Sequence, residues 1–116
     1  MAKLNNFILT HYDGGVLKKS LTLKKQKCTK LQLTAEYRNN SLRKEKVDTL
    51  VLLYNGAGRE LGRFSKSFII PPFSSFTQTT YTNRPSSIIS GFSKGKNTVV
   101  LYMNRVKVKS INFHVE

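Results

Sequence analysis

In 116 residues the chain sets 20 lysines and arginines against 6 aspartates and glutamates, a formal net charge of +14. That length suits one domain with its own core, and a surface this basic draws phosphates, acidic proteins or acidic membranes while repelling copies of itself. Aromatic and branched residues recur to the end and argue against wholesale disorder, and the single cysteine, Cys28, excludes an internal disulfide or a cysteine-built zinc site.

Residues Met1–Thr10 lack the apolar core of a secretory signal, and no run approaches the roughly 18 apolar residues of a membrane span. The sequence therefore predicts a protein of the cytoplasm, or of a particle assembled inside the cell, that is not secreted. Phe7, Leu9 and His11 alternate with Ile8 and Thr10 as a first strand, which Asp13-Gly14-Gly15 turns into a second over Val16–Leu23. Lys24–Lys27 is a solvated link. Leu31, Leu33, Ala35 and Tyr37 alternate with polar residues, the mark of a strand with one wet face, and Arg38–Lys46 reads as an exposed loop.

Leu50–Tyr54 is apolar on both parities, so both faces of this strand are expected to be covered, either by the Phe68–Phe73 segment or by a partner. Asn55–Gly58 turns the chain into a strand over Arg59–Lys66. Phe68-Ile-Ile-Pro-Pro-Phe73 is an extended crossing; its prolines cannot donate to a ladder, which places it at an edge or between sheets. A Thr-rich strand follows over Ser75–Asn83, then a single helical turn at Ser86–Ser90. Asn97–Met103 reads as a central strand, Asn104-Arg105 as a tight hairpin and Val106–Val115 as the last strand. Val106 and Val108 share one parity while Ile111, Phe113 and Val115 share the other, which predicts a bulge near Lys109-Ser110. Together these elements predict an all-β, single-domain Greek-key sandwich of about seven to eight strands over residues 1–116.

From Leu31 onward the order of elements resembles immunoglobulin-like sandwiches of the fibronectin type III or cell-adhesion-related (CARDB-like) kind. The residues that carry this are Leu31–Asn39, Leu50–Gly58 leading to Leu61, Ile70-Pro-Pro-Phe73, the Thr-rich strand and Gly95–Tyr102. The chain departs from antibody domains in having no Trp and no cysteine pair. The resemblance implies a seven- or eight-stranded sandwich used for adhesion, spacing or assembly, with no catalytic residue.

The residues themselves point the same way. His11 and His114 lack ligand spacing and read as surface or edge histidines, and the scattered acids read as salt-bridge partners, Glu36 and Asp48 alone being placeable on neighbouring strands. Gly56–Gly62 and Gly91–Asn97 fall short of nucleotide-loop spacing and read as turns. No enzyme activity, metal or cofactor is expected.

The cations carry the positive signal. Half of them lie between Lys18 and Lys46: Lys18, Lys19, Lys24, Lys25, Lys27, Lys30, Arg38, Arg43, Lys44 and Lys46. A strand over Lys30–Arg38 spans about 27 Å at roughly 3.3 Å per residue, so its flanking loops would form a stripe or two poles. Lys107 and Lys109 add a cationic face on the last strand, and Ile69, Ile70, Phe73 and Phe76 are candidates for an apolar interface. The expected role is a structural or adaptor module docking on a larger assembly with an acidic surface. In size and type it is similar to small decoration or connector proteins of phage virions. The alternative is a sequence-nonspecific nucleic-acid-binding β domain, whose phosphate contacts need only cations; an acidic-glycan binder comes third.

Overall fold

Alternation of side chains, read against pairing partners, builds both sheets. The computed structural model describes Met1–Glu116. In chain order it forms β1 (Lys3–Asp13), β2 (Val16–Lys18), β3 (Thr22–Leu23), β4 (Cys28–Asn39), β5 (Glu45–Tyr54), β6 (Glu60–Ile70), β7 (Ser74–Asn83), α1 (Ser87–Gly91), β8 (Gly95–Met103) and β9 (Val106–Val115). These make an all-β sandwich of one four-stranded sheet, β2-β1-β4-β7, and one five-stranded sheet, β3-β9-β8-β5-β6. All pairs are antiparallel except β3 with β9. β4 lies between β1 and β7 in the first sheet, and β8 lies between β9 and β5 in the second.

Phe7, Leu9 and His11 of β1 and Leu31, Leu33, Ala35 and Tyr37 of β4 face inward. They meet Val47, Val51 and Leu53 of β5, Val99 and Leu101 of β8, and Phe113 and Val115 of β9 across the core. Cys28 is fully buried and packs as a small core residue; burial pushes its thiol pKa up. Gly14 and Gly15 have φ of 59° and 98°, the left-handed conformation that a two-residue hairpin needs and glycine adopts without strain.

At the end where β1 stops and β4 begins, here called apical, α1 plugs the sandwich. Ser86 caps it by accepting from the amides of Ile88 and Ile89, and both isoleucines are buried. The opposite, basal end carries the β4–β5 loop and the β6–β7 link.

Several expectations change, among them the Arg38–Lys46 loop, which shrinks to residues 40–44 because Arg38 and buried Asn39 end β4 and Glu45 and Lys46 begin β5. Val16–Leu23 is not one strand: β2 pairs with β1, the chain leaves at Lys19–Leu21, and β3 joins the other sheet beside β9. His11 is buried rather than on the surface, and burial lowers its pKa. Glu36 and Asp48 stand on the outer faces of opposite sheets, where they accept from Asn5 and Ser67 instead of forming ion pairs. The Phe68–Phe73 segment does not cover the outer face of β5, because its first half lies within β6, beside β5 in the same sheet. The bulge in β9 is present, with the register shifting between Leu101–Lys109 and Tyr102–Lys107 so that Val108 is the extra residue.

Candidate docking surfaces

The apical cations are set by a turn and a brace. The amides of Lys27 and Cys28 both donate to the Lys24 carbonyl at 3.0 Å, closing the link between β3 and β4. Arg84, arriving from the end of β7, donates through Nε to the Cys28 carbonyl at 2.9 Å and through Nη2 to the Lys25 carbonyl. The link is thereby fixed with Lys24 and Lys27 exposed, near the exposed Lys18. Lys19, just after β2, is exposed as well. Lys25 is turned back, and its Nζ donates to the Phe92 carbonyl at 2.9 Å. Lys30 is half-buried on the outer face of the four-stranded sheet, its Nζ 5.2 Å from the Tyr12 ring centre and 4.5 Å from that of Tyr81.

Between β2, β3 and the link lies a polar cleft of about 330 Å³ walled by Lys18, Lys24, Lys27, His11, Asp13 and Glu116 among others. Asp13 Oδ1 is buried there without a hydrogen bond, 3.9 Å from His11 Nε2.

The basal group is anchored by Asn39, the fully buried last residue of β4. Its Nδ2 donates to the carbonyls of Arg43 (2.7 Å), Ile70 (3.1 Å) and Pro71 (3.2 Å), and its Oδ1 accepts from the amide (2.9 Å) and hydroxyl (2.8 Å) of Ser41. The loop it holds presents Arg43 and Lys44 to solvent, with Lys46 exposed at the start of β5; Arg38 is half-buried and donates to Asn40. Thus Lys18–Lys30 and Arg38–Lys46 stand at opposite ends of β4, as two poles.

The chain has two ion pairs, the Met1 ammonium with Glu45 and Arg63 with Glu60; the 3.9 Å His11–Asp13 contact involves a histidine whose pKa burial lowers. No lysine takes part in any of them, so no lysine at either pole is held in an ion pair. Lys107 stands in register with Tyr102 on the outer face of the five-stranded sheet, and Lys109 lines the edge next to β1.

The apolar candidates divide. Ile69 and Phe73 are exposed, but Ile70 is fully buried among the core residues and Phe76 is half-buried, its ring stacked on Phe68 at 4.1 Å. Ile70 faces in because β6 pairs it with Glu45, two residues from buried Val47 and on its parity. The second face of β5, expected from the apolar run to be covered by Phe68–Phe73 or a partner, is the outer one. Leu50, Leu52 and Tyr54 point outward from β5 beside Val100 and Tyr102 of β8, with Arg63 in register on β6. A hollow of about 390 Å³ lies over Leu50, Leu52 and Tyr102, bordered by Asp48 and Arg105. The apolar run on both parities was its signal.

No helix is long and apolar enough to cross a membrane. No family model matches the sequence, and no curated protein matches it. Among solved structures, the chain is similar to the alkylpurine DNA glycosylase AlkC of Pseudomonas fluorescens bound to DNA containing an abasic site analog, with a TM-score of 0.68 and 9% identity over 99% of this chain and 30% of that one. It is also similar to a β-glucosidase of Listeria innocua in complex with glucose, with a TM-score of 0.66 and 12% identity over 99% of this chain and 16% of that one. The C-terminal domain of wzt aligns with a TM-score of 0.65 and 11% identity over 99% of this chain and 73% of that one. The chain thus spans under a third of the glycosylase and a smaller part of the glucosidase. At these identities the likeness is one of fold, a sandwich that recurs inside proteins of different kinds.

Proposed function

We propose that the chain is a non-enzymatic structural or adaptor module that docks through its basic poles, aided by an apolar contact, onto the acidic surface of a larger assembly such as a virion. The observation that carries this is the set of lysines outside any ion pair at the two ends of β4, the apical ones on a link that Arg84 braces. The braced link keeps the apical cations together on one surface, and their field speeds the encounter with an acidic one. Exposed Ile69 and Phe73, and the Leu50–Tyr102 hollow, supply apolar area beside that charge.

The second reading, nonspecific nucleic-acid binding, is favoured by one feature. Tyr12 and Tyr81 flank Lys30 on an outer sheet face, a pairing of rings and cation suited to stacked bases and phosphates.

Co-sedimentation of the full chain with large particles from its native extract, with and without nuclease, separates the two. The docking reading expects co-sedimentation to survive nuclease; loss on nuclease treatment transfers the function to nucleic acid. Joint reversal of Lys24, Lys25 and Lys27 to Glu should weaken either charge-driven association at least about tenfold. Unchanged binding by the triple variant would remove the apical pole from the account.

A further inference from the structure

We infer that the lower part of β9 is an acceptor edge for an extended segment of another protein, one in which apolar and acidic residues alternate. The inference starts from the docking role above but names a contact separate from the poles.

Two strand edges lie bare on the same side of the sandwich. The outer edge of β1 is paired by β2 only at His11–Asp13, which leaves Lys3–Thr10 without a neighbour. The outer edge of β9 is paired by β3 only at His114 and Val115, which leaves Val106–Phe113 open. Between the two edges runs a groove of about 680 Å³. Ala2, Leu4, Phe7 and Met103 line it, and Val106 and Val108 stand exposed along it at 62% and 40%. Bare edges are ordinarily short or blunted because their free amides and carbonyls invite pairing, and on β9 Lys107, Lys109 and the Val108 bulge blunt the edge toward another basic chain. Here the two edges flank an apolar trough, and each already has a strand on its apical part. β3 marks the track that an added strand on β9 would continue.

The backbone of β9 is poised for the addition. His114 and Glu116 donate outward, to the carbonyls of Leu21 (2.7 Å) and Leu23 (2.9 Å). Strand amides alternate in direction, so Ser110 and Asn112, of the same parity, send theirs to the same outer edge. A strand added there gains main-chain hydrogen bonds, with alternate side chains entering the groove and facing solvent.

Charge selects the occupant. Lys3 and Lys109 line the groove, and Lys107 projects from the same part of β9. Acidic residues on the solvent-facing parity would meet Lys107 on the outer face, while their apolar neighbours enter the groove against Leu4, Phe7, Val106 and the aliphatic stems of Lys3 and Lys109. A second copy of the chain is disfavoured, since it would bring +14 against +14.

The test uses the full chain and a synthetic capped peptide of about nine residues alternating valine and glutamate, long enough to span the open edge. Amide hydrogen exchange should slow at least about tenfold within Val106–Phe113 when the peptide binds. A peptide of the same composition with its valines and glutamates in separate blocks should give no such protection. Ser110→Pro removes an outward donor without touching the β8 ladder, so it should abolish the protection in a chain that still melts cooperatively. Lys107→Glu with Lys109→Glu should weaken binding of the glutamate peptide at least about tenfold and favour a lysine version. Protection confined to Lys3–Thr10 would assign the segment to β1 and overturn the inference. So would equal binding by the block peptide with protection only across Lys18–Lys30, an outcome that leaves the pole reading intact. If the Lys24, Lys25 and Lys27 reversal abolishes particle binding yet leaves peptide protection in β9, both contacts are real and separate.

Discussion

Replacing Asn39 by Ala should cost on the order of 3 kcal/mol, seen as a fall of roughly 10–15 °C in the thermal midpoint. Asn39 is fully buried where β4 ends, and its amide is the shared partner of two segments distant in sequence, the Ser41–Arg43 loop and the Ile70–Pro71 link. Alanine leaves the Ile70 and Pro71 carbonyls and the Ser41 amide facing an apolar methyl, while the Arg43 carbonyl keeps its bond from the Ser41 hydroxyl. Each buried group stripped of its partner costs about 1–3 kcal/mol, more than the hydrogen bond is worth net. Asn39→Asp keeps the acceptor for Ser41 but sets a carboxylate oxygen against the Ile70 and Pro71 carbonyls, so it should be comparably damaging. Urea titration of both variants checks the magnitude. Exchange of the Ser41 amide, which donates to Asn39 Oδ1 at 2.9 Å, checks the mechanism by speeding up in Asn39→Ala below the unfolding transition. A loss under about 1 kcal/mol would mean that the basal loop is held by its other contacts. The functional consequence follows from position, since the same loop carries Arg43 and Lys44 of the basal pole.

Much of this fold was legible because antiparallel strands with one wet face alternate locally. Phe7 and Leu9, and then Leu31, Leu33, Ala35 and Tyr37, declare their inward faces without reference to any other strand, whereas His11 shares that parity and its burial was not expected. The β9 bulge was legible for the same reason, as a break in phase. What failed was set by distant partners. Nothing near Val16–Leu23 tells that β2 belongs to β1 while β3 pairs with His114 and Val115 in the other sheet. Ile69 and Ile70 are chemically alike, and only the register of β6 against β5 makes one exposed and the other core. The apolar run Leu50–Tyr54 was correctly seen as two-sided, but its outer side is shielded by neighbours in its own sheet, with Leu52 in register with Arg63 and Val100. The poles were legible as charge along the sequence. The brace by Arg84 and the anchor at Asn39 were not, since each joins residues far apart in the chain. The open edges and their groove could not be read at all, because an edge is defined by the strand that is missing beside it.

Raising the pH from about 8 to about 12 should strip roughly 2–3 kcal/mol of stability through Tyr37 alone. Its ring is fully buried between the sheets, 5.3 Å from Phe68, and its hydroxyl donates to Gln78 Oε1 at 3.1 Å. The Gln78 side chain also meets the Thr49 hydroxyl, which in turn donates to the Lys66 carbonyl, so the phenol belongs to a polar thread joining the two sheets. Burial disfavours the phenolate and pushes the Tyr37 pKa up to about 12. The unfolded chain releases this proton near pH 10, whereas the folded chain keeps it until about 12. Between those values the unfolded state binds fewer protons than the folded one, so stability falls as pH rises, by up to about 1.4 kcal/mol per unit. The contribution is complete below about pH 10 and is lost on passing through the folded pKa. Every other ionisable group is common to the native chain and a Tyr37→Phe variant, so the clean measurement is a difference. Tyr37→Phe should be about 1 kcal/mol less stable than the native chain at pH 8, having lost its bond to Gln78. It cannot ionise, so by about pH 11 the gap should close, and above that the variant should be the more stable of the two. Parallel denaturation curves across the whole range, with a constant gap, would show that the buried hydroxyl reaches water before it titrates.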